Sequence, residues 1–456
     1  MAQGHMIPMV DLARLLAHHG VMISILTTPV NAARFQSIVD RAVAAGLDIH
    51  IHHLKFPCSE VGLPDGCENF DMLASSDDVV KIFRAIHMLK DQVEELLRQL
   101  KPSPSCLIAD ACFPGWATSI ALQLHIPRIL FYVTTCFSLL CRHIQGSWKE
   151  LEAMTSDTEY FVVPGLPDRI ELTRAQLRGT PSGPKFDWSE VWAEMRDAEE
   201  QAFGAVVANS FEELEPEYIK EYKKATGKRV WCVGPVSVCN KDYSDKAERG
   251  NKSEHEFCLK WLDSKEPGSV VYVCLGSQSS MATLQLIELA LGLEASSRPF
   301  IWVLKNASEE SQKWLLEEKF EERIKDRGLL IRGWAPQVLI LSHPSVGAFL
   351  THCGGNSALE GIAAGVPMIT WPVFTDHFCN EKLIVNVKND EIKRVIEELM
   401  DGGEEGNKGR RRAKELGEMA KRAVEEGGSS YLNATLFIED VIVEQANLAG
   451  RFAGHE

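Results

Sequence analysis

The sequence predicts an α/β protein built from two parallel-sheet domains in tandem, and three observations carry that prediction. Short apolar runs alternate with longer amphipathic segments, the pattern of strands joined by crossover helices. The alternation breaks at a charged, aperiodic stretch, NKDYSDKAERGNKSEHE at 240–256, and then restarts. The 456 residues exceed what one ordinary core accommodates and suffice for two.

Taken in order, MIPMVDLARLLAHHG (6–20) reads as a helix, with Pro8 in its first turn and Gly20 after its end. VMISILTT (21–28) reads as a buried strand and DIHIHH (48–53) as a second. Over 77–100, Val79, Phe83, Ile86, Val93 and Leu97 fall on one face of a helix. SCLIAD (105–110), RILFY (128–132), GAVVANS (204–210) and RVWCVG (229–234) are further strands. Beyond the break come GSVVYVCLGS (268–277), a helix over 281–296, PFIWVLK (299–305), GLLIRGW (328–334), VGAFLT (346–351) and PMITWP (367–372). Polar helices follow from about Asp390. The expected boundaries are a first domain over 1–239, a linker over 240–256 and a second domain over 257–429. Both domains are Rossmann-like, and such sheets bind ligands beyond the carboxyl ends of their strands.

Composition narrows the function. The formal net charge is −16, from 48 Lys and Arg against 64 Asp and Glu, with no basic block, which argues against nucleic acid as a partner. The twelve cysteines form no CxxC pair and no cluster with zinc spacing, which fits reduced thiols in a cytoplasmic protein. No apolar run is long enough to span a bilayer and no signal peptide is visible. A monomer is the default expectation.

Three strand ends carry the chemistry. After Thr351 the chain runs His352, Gly354, Gly355, Asn356, Ser357 and then a helix of small residues. Either Asn356 or Ser357 is expected to cap that helix, whose positive end suits a phosphate. LGS at 275–277 is a second strand ending on Gly-Ser, and two such ends suit a diphosphate. In RGWAPQ (332–337), Trp334 at a strand end is a platform for a planar base. Glu360, about one turn into the helix, is placed to accept from ribose hydroxyls. Together these describe a nucleoside-diphosphate site. There is no GxGxxG with a following acid, no GxxxxGK[ST] and no Asp-x-Asp pair, which disfavours NAD, P-loop hydrolysis and a metal-clamped diphosphate.

The stretch from Trp334 to His377, WAPQVLILSHPSVGAFLTHCGGNSALEGIAAGVPMITWPVFTDH, resembles the 44-residue signature of plant UDP-sugar-dependent glycosyltransferases of specialised metabolism. GHMIPMVDLARLLA, SKEPGSVVYVCLGS and GGSSYLNATLFIEDV are similar to the same family. The resemblance implies a GT-B fold, two Rossmann-like domains facing each other across a cleft. It places the acceptor in the first domain, the UDP-sugar in the second, and a C-terminal helix of about 430–456 back on the first. It implies a UDP-sugar co-substrate, inverting transfer to a hydroxyl of a hydrophobic acceptor (flavonoid, triterpenoid or steroid), and no cofactor or metal. By matching positions, Trp334 would stack on uracil and the Ala335 backbone would bond its edge. Gln337 and Glu360 would bind ribose, and Ser277, His352, Asn356 and Ser357 the diphosphate. Asp376, His377 and Thr134 would contact the sugar. His5 would be the catalytic base and Asp110 its partner.

Four departures qualify the expectation. The family carries an apolar strand ahead of the position of His5, and this sequence begins at Met1, so His5 is expected to be loosened. Only IVNV (384–387) stands where the family has a further strand and loop. Both departures raise a catalytically impaired UDP-sugar binder as the alternative. Gly355 replaces the family's usual tryptophan and would enlarge the donor pocket. His377 replaces the usual glutamine, which leaves glucose, galactose and arabinose open as the donor sugar.

Overall fold

The computed structural model describes residues 2–73, 75, 78–148, 151, 154–178, 193, 205–239, 252–276, 281–305, 307–374, 376–384, 396–397, 399–400 and 403–453. In chain order the strands are β1 (Ile23–Thr27), β2 (Ile49–His53), β3 (Leu107–Asp110), β4 (Arg128–Tyr132), β5 (Tyr160–Val162), β6 (Glu171–Thr173) and β7 (Ala205–Ala208). They continue as β8 (Arg229–Cys232), β9 (Val270–Cys274), β10 (Phe300–Val303), β11 (Gly328–Ile331), β12 (Val346–Thr351) and β13 (Met368–Thr370). The chain divides into two compact units. One comprises Met1–Cys136, Gly183–Cys239 and Ala423–Glu456; the other comprises Phe137–Ser182 and Asn240–Arg422. Residues 137–182, read from the sequence as part of the first domain, thus group with the second unit. The expected linker at 240–256 is shorter at its end, because Lys252–Asp263 is a helix; 240–251 lie outside the described residues.

In the second unit five parallel strands run in the order β11-β10-β9-β12-β13. Alternate residues of β9 serve opposite faces. Val271 and Val273 pack with Leu286, Leu289 and Trp302, while Val270 and Tyr272 pack with Ile340 and Phe349. Covering both faces explains why this strand reads as an unbroken apolar run. The strand order reverses direction between β9 and β12, which makes the carboxyl ends of those two strands the switch point where this kind of sheet binds ligands.

In the first unit a single sheet was expected and two are found among the described residues. β3-β4-β7-β8 form one parallel sheet, and β1-β2 a separate parallel pair. β1 and β3 share side-chain clusters: Ile23 and Ile108 pack on one, Leu26 and Leu107 on another. No ladder joins them. With one edge unpaired, β1 is half-buried along its whole length, not buried as its apolar sequence suggests. The helix read over 77–100 is two helices, Val79–Met88 and Lys90–Gln99, meeting at Leu89, whose amide bonds three residues back to Ile86. The helix Ser429–Ala453 packs Ala434, Phe437 and Val441 against Trp231, Phe131 and Val207 of the first unit. No described helix is long and apolar enough to cross a membrane.

Gly347 lies at an irregularity in the β12–β9 register, and a Cβ there would stand 2.1 Å from the Gly268 carbonyl oxygen. A backbone neighbour cannot swing aside, so Gly347→Ala is expected to cost roughly 1–3 kcal/mol. A urea midpoint unchanged from wild type would contradict this.

Candidate active site

At the switch point, β9 runs into Leu275 and Gly276, and β12 runs into His352. Gly276 has φ +85°, and a Cβ on it would meet His352 Nε2 at 2.5 Å. A Cβ on Gly354 would meet the same nitrogen at 2.5 Å. Two glycines therefore make the space that the imidazole fills. Cys353, between His352 and Gly354 in the chain, takes φ +65°, unusual for a residue with a side chain, and its amide bonds back to Thr351 Oγ1 at 3.3 Å. Burial, reinforced by the nearby His377, holds His352 well below the ordinary imidazole range, against a hydrogen bond with the Cys274 backbone that favours the charged form. Its Nδ1 is buried with no hydrogen-bond partner among the described residues.

The helix Gly355–Ala364 starts immediately after this turn, with Gly354 as its N-cap and no side-chain cap. The cap expected from Asn356 or Ser357 is not made. Both lie inside the first turn, because extended Gly354 (φ −60°, ψ 141°) already begins the helix. Their backbone N–H groups are among the first four of a helix, which have no intrahelical acceptor, so this end can serve an anion. Ser357 instead uses its Oγ to accept from Gln337 Nε2 at 3.0 Å. The same Nε2 donates to Glu360 Oε2 at 2.8 Å, and Tyr272 donates its hydroxyl to Gln337 Oε1 at 3.2 Å. Gln337 and Glu360 are thereby brought side by side from different elements. Trp334 follows β11, half-buried, with Lys305 Nζ 5.8 Å from its ring centre, and Ala335 beside it is buried. A cavity of about 320 Å³ adjoins Trp334, lined also by Pro336, Cys258 and the β11 residues Leu329 to Ile331. Ser277 lies outside the described residues.

His377 opens the helix His377–Ile384 and is buried. Its ring meets His352 edge-on at 4.6 Å and lies 4.7 Å from Phe374. Burial lowers its pKa while Asp376 opposes that shift, so two neighbouring imidazoles favour the neutral state. The sequence reading missed Asn380. This amide is buried, donates to the Cys353 carbonyl and to Asp376 Oδ2, both at 2.9 Å, and accepts from Ser138 Oγ at 2.7 Å. It ties the glycine turn, Asp376 and the segment after β4 together. No local motif announces it, because its three partners are scattered along the chain.

In the first unit the helix is Gln3–His18, so His5 sits in its first turn and not ahead of it. His5 Nδ1 is 2.7 Å from Asp110 Oδ2 at the end of β3, and Asp110 Oδ1 accepts from the Cys112 amide at 2.7 Å. Burial would raise the Asp110 pKa, but the charge and hydrogen bond of His5, helped by that amide, outweigh it and keep the carboxylate below its ordinary value. Thr134 lies two residues beyond β4, in the same unit. The segment 385–395, which includes most of IVNV, is outside the described residues.

Replacing Asn380 by Asp puts a carboxylate against Asp376 and a carbonyl in a buried site. We expect a loss of about 3 kcal/mol or more, read from chemical denaturation, and a much smaller loss for Ser138→Ala. Equal effects from both would contradict the assignment of Asn380 as the centre of this network.

A sequence profile described as "UDP-glucoronosyl and UDP-glucosyl transferase" matches residues 234–398. UDP-glycosyltransferase 73C3 of Arabidopsis thaliana is 51% identical over 97% of this chain and 95% of its own length. UDP-glycosyltransferase 73C25 of Barbarea vulgaris is 50% identical over the same shares. These alignments run over 474 and 472 residues, more than the 456 of the chain, so the relatives carry residues without a counterpart here. Among solved structures, Glycyrrhiza uralensis UGT73P12 complexed with glycyrrhetinic acid 3-O-monoglucuronide matches with a TM-score of 0.90 and 35% identity, over 100% of this chain and 96% of that one. Arabidopsis thaliana UGT89C1 complexed with UDP-L-rhamnose matches with a TM-score of 0.73 and 29% identity over 97% of each chain. The α/β architecture in two units is the GT-B fold of these neighbours. Half-identity over nearly the full length of both chains means that this protein belongs to the plant UDP-glycosyltransferases, enzymes that move a sugar from a UDP-sugar to an acceptor.

Proposed function

We propose that the enzyme transfers a hexose or pentose from its UDP-sugar to a hydroxyl of a hydrophobic plant specialised metabolite, a flavonoid, triterpenoid or steroid, with inversion and without a metal ion. The observation that carries the chemistry is the 2.7 Å contact between His5 Nδ1 and Asp110 Oδ2. With its Nδ1–H directed at the carboxylate, the imidazole offers the Nε2 lone pair to the acceptor hydroxyl. Nε2 takes the proton as the oxygen attacks the anomeric carbon, and the bond from that carbon to the diphosphate oxygen breaks, its electron pair leaving with UDP. Asp110 holds the tautomer and stabilises the imidazolium that forms.

The developing charge on UDP is met by the uncapped start of the helix Gly355–Ala364, with Asn356 and Ser357 in its first turn, by His352 beside it, and by Ser277. Trp334 takes the uracil face, the Ala335 backbone its edge, and the Gln337–Glu360 pair the ribose. Asp376, His377 and Thr134 take sugar hydroxyls, and Gly355 leaves the donor pocket wide. His377 keeps glucose, galactose and arabinose all in play as donors. The triterpenoid glucuronide in the Glycyrrhiza neighbour supports a large apolar acceptor. None of the eleven cysteines whose side chains are described is in a disulfide, in keeping with a cytoplasmic enzyme, which we take to be monomeric.

A second reading, a UDP-sugar binder with impaired catalysis, is favoured by one observation: β1 and β3 share no ladder beside the dyad. Mass-spectrometric product analysis separates the two. Purified protein is offered UDP-glucose, UDP-galactose or UDP-arabinose with pooled flavonoid, triterpenoid and steroid aglycones, without added metal. A glycosylated product supports the transferase; folded protein that binds UDP and yields none supports the binder.

His5→Ala is expected to lower turnover roughly 10²- to 10⁴-fold, with the dissociation constant for UDP unchanged. Lost UDP binding in that variant would show that His5 is structural. His377→Gln is expected to shift the ratio of kcat/KM values toward UDP-glucose, and an unaltered ratio would remove His377 from donor selection.

A further inference from the structure

We propose that His5, Asp110 and Cys112 together form a site for a thiophilic divalent cation of the zinc type, and that occupation of this site switches off the His5 base. One ligand atom from each of the three lies within 4.8 Å of the other two. A tetrahedral zinc ion with bonds of about 2.0–2.3 Å separates its ligands by about 3–4 Å, so only small side-chain shifts are required. The donor set of imidazole, carboxylate and thiolate is the set zinc prefers, and its two negative charges match a divalent ion.

The local fold supplies the arrangement. Asp110 ends β3, and the next turn is held by the Cys112 amide on Asp110 Oδ1 and by the Phe113 amide on the Asp110 carbonyl, at 2.7 and 2.9 Å. That turn returns Cys112 to the same side as the carboxylate. The site is reachable: the His5 side chain is 38% exposed, and Cys112 is the exposed one among the eleven cysteines whose side chains are described. Nothing in the proposed transfer uses the Cys112 thiol, and an alanine there keeps the amide that holds Asp110.

Coordination at Nδ1 takes the lone pair of that nitrogen and displaces its hydrogen bond to Asp110. The imidazole proton then resides on Nε2, and the thiol proton is released to solvent. A histidine with a metal on Nδ1 and a proton on Nε2 has no lone pair left for the acceptor hydroxyl. Binding of the cation is independent of the transferase reading, whereas its effect on turnover rests on that reading.

Cobalt(II), titrated into the full-length protein, tests the site without any assay of activity. One equivalent is expected to produce a thiolate-to-cobalt charge-transfer absorption that Cys112→Ala abolishes. No band, or one that persists in Cys112→Ala, overturns the proposal. Zinc is then added to the transfer reaction. Cys112→Ala is expected to keep wild-type turnover in the presence of a chelator and to need at least tenfold more zinc for half-inhibition. Equal zinc sensitivity of the two proteins overturns the inhibitory role. A cobalt band from protein that transfers no sugar under any condition would confirm the site and count against the enzyme reading alone.

Discussion

The second unit is organised around the imidazole of His352. It fills a space bounded by Gly276 at the end of β9 and Gly354 after β12, and a methyl group at either position would collide with it. The two strands are neighbours in the sheet at the point where its order reverses. Their ends approach closely around the imidazole, and close approach excludes side chains there. Everything nearby follows from that crowding: the left-handed Cys353, the abrupt start of the helix Gly355–Ala364, and the edge contact with His377. Burial in this crowded place lowers the pKa of both imidazoles and so favours their neutral forms.

The first unit solves a different problem with looser means. The base proposed there must be accessible to a substrate, so it cannot be buried among strand ends. His5 is placed in the first turn of a helix and pinned by one carboxylate on β3. That carboxylate is itself pinned by a backbone amide, so the orientation of the imidazole depends on a short chain of two bonds. β1 and β3 belong to separate sheets and are joined through shared side-chain clusters, so this part of the unit depends on side-chain packing where a ladder would otherwise run.

The network at Asn380 shows why a site can be partly legible. Gln337, Ser357 and Glu360 were readable because they lie within one continuous motif and act through adjacent turns. Asn380 lies just beyond that motif, and its partners Ser138, Cys353 and Asp376 span just over half the chain. A buried amide gains its importance from satisfying three partners at once, and this is a property of the fold. The misjudged cap has a similar origin. Asn356 and Ser357 are good capping residues, but the backbone of Gly354 starts the helix earlier, and Ser357 is drawn to Gln337.

The sequence by itself determined the class of structure and the family: strand and helix periodicities, glycines at strand ends and a continuous signature are local properties that survive without coordinates. It also named the residues from which a nucleotide site would be built. Tertiary structure alone decided the pairings. It showed that β1 and β3 share no ladder, that 137–182 groups with the second unit, that His5 meets Asp110 across 105 positions, and that Cys112 stands beside them. The physical reason is that hydrogen bonds and ion pairs are selected by distance in space, and only a folded chain turns separation along the sequence into contact.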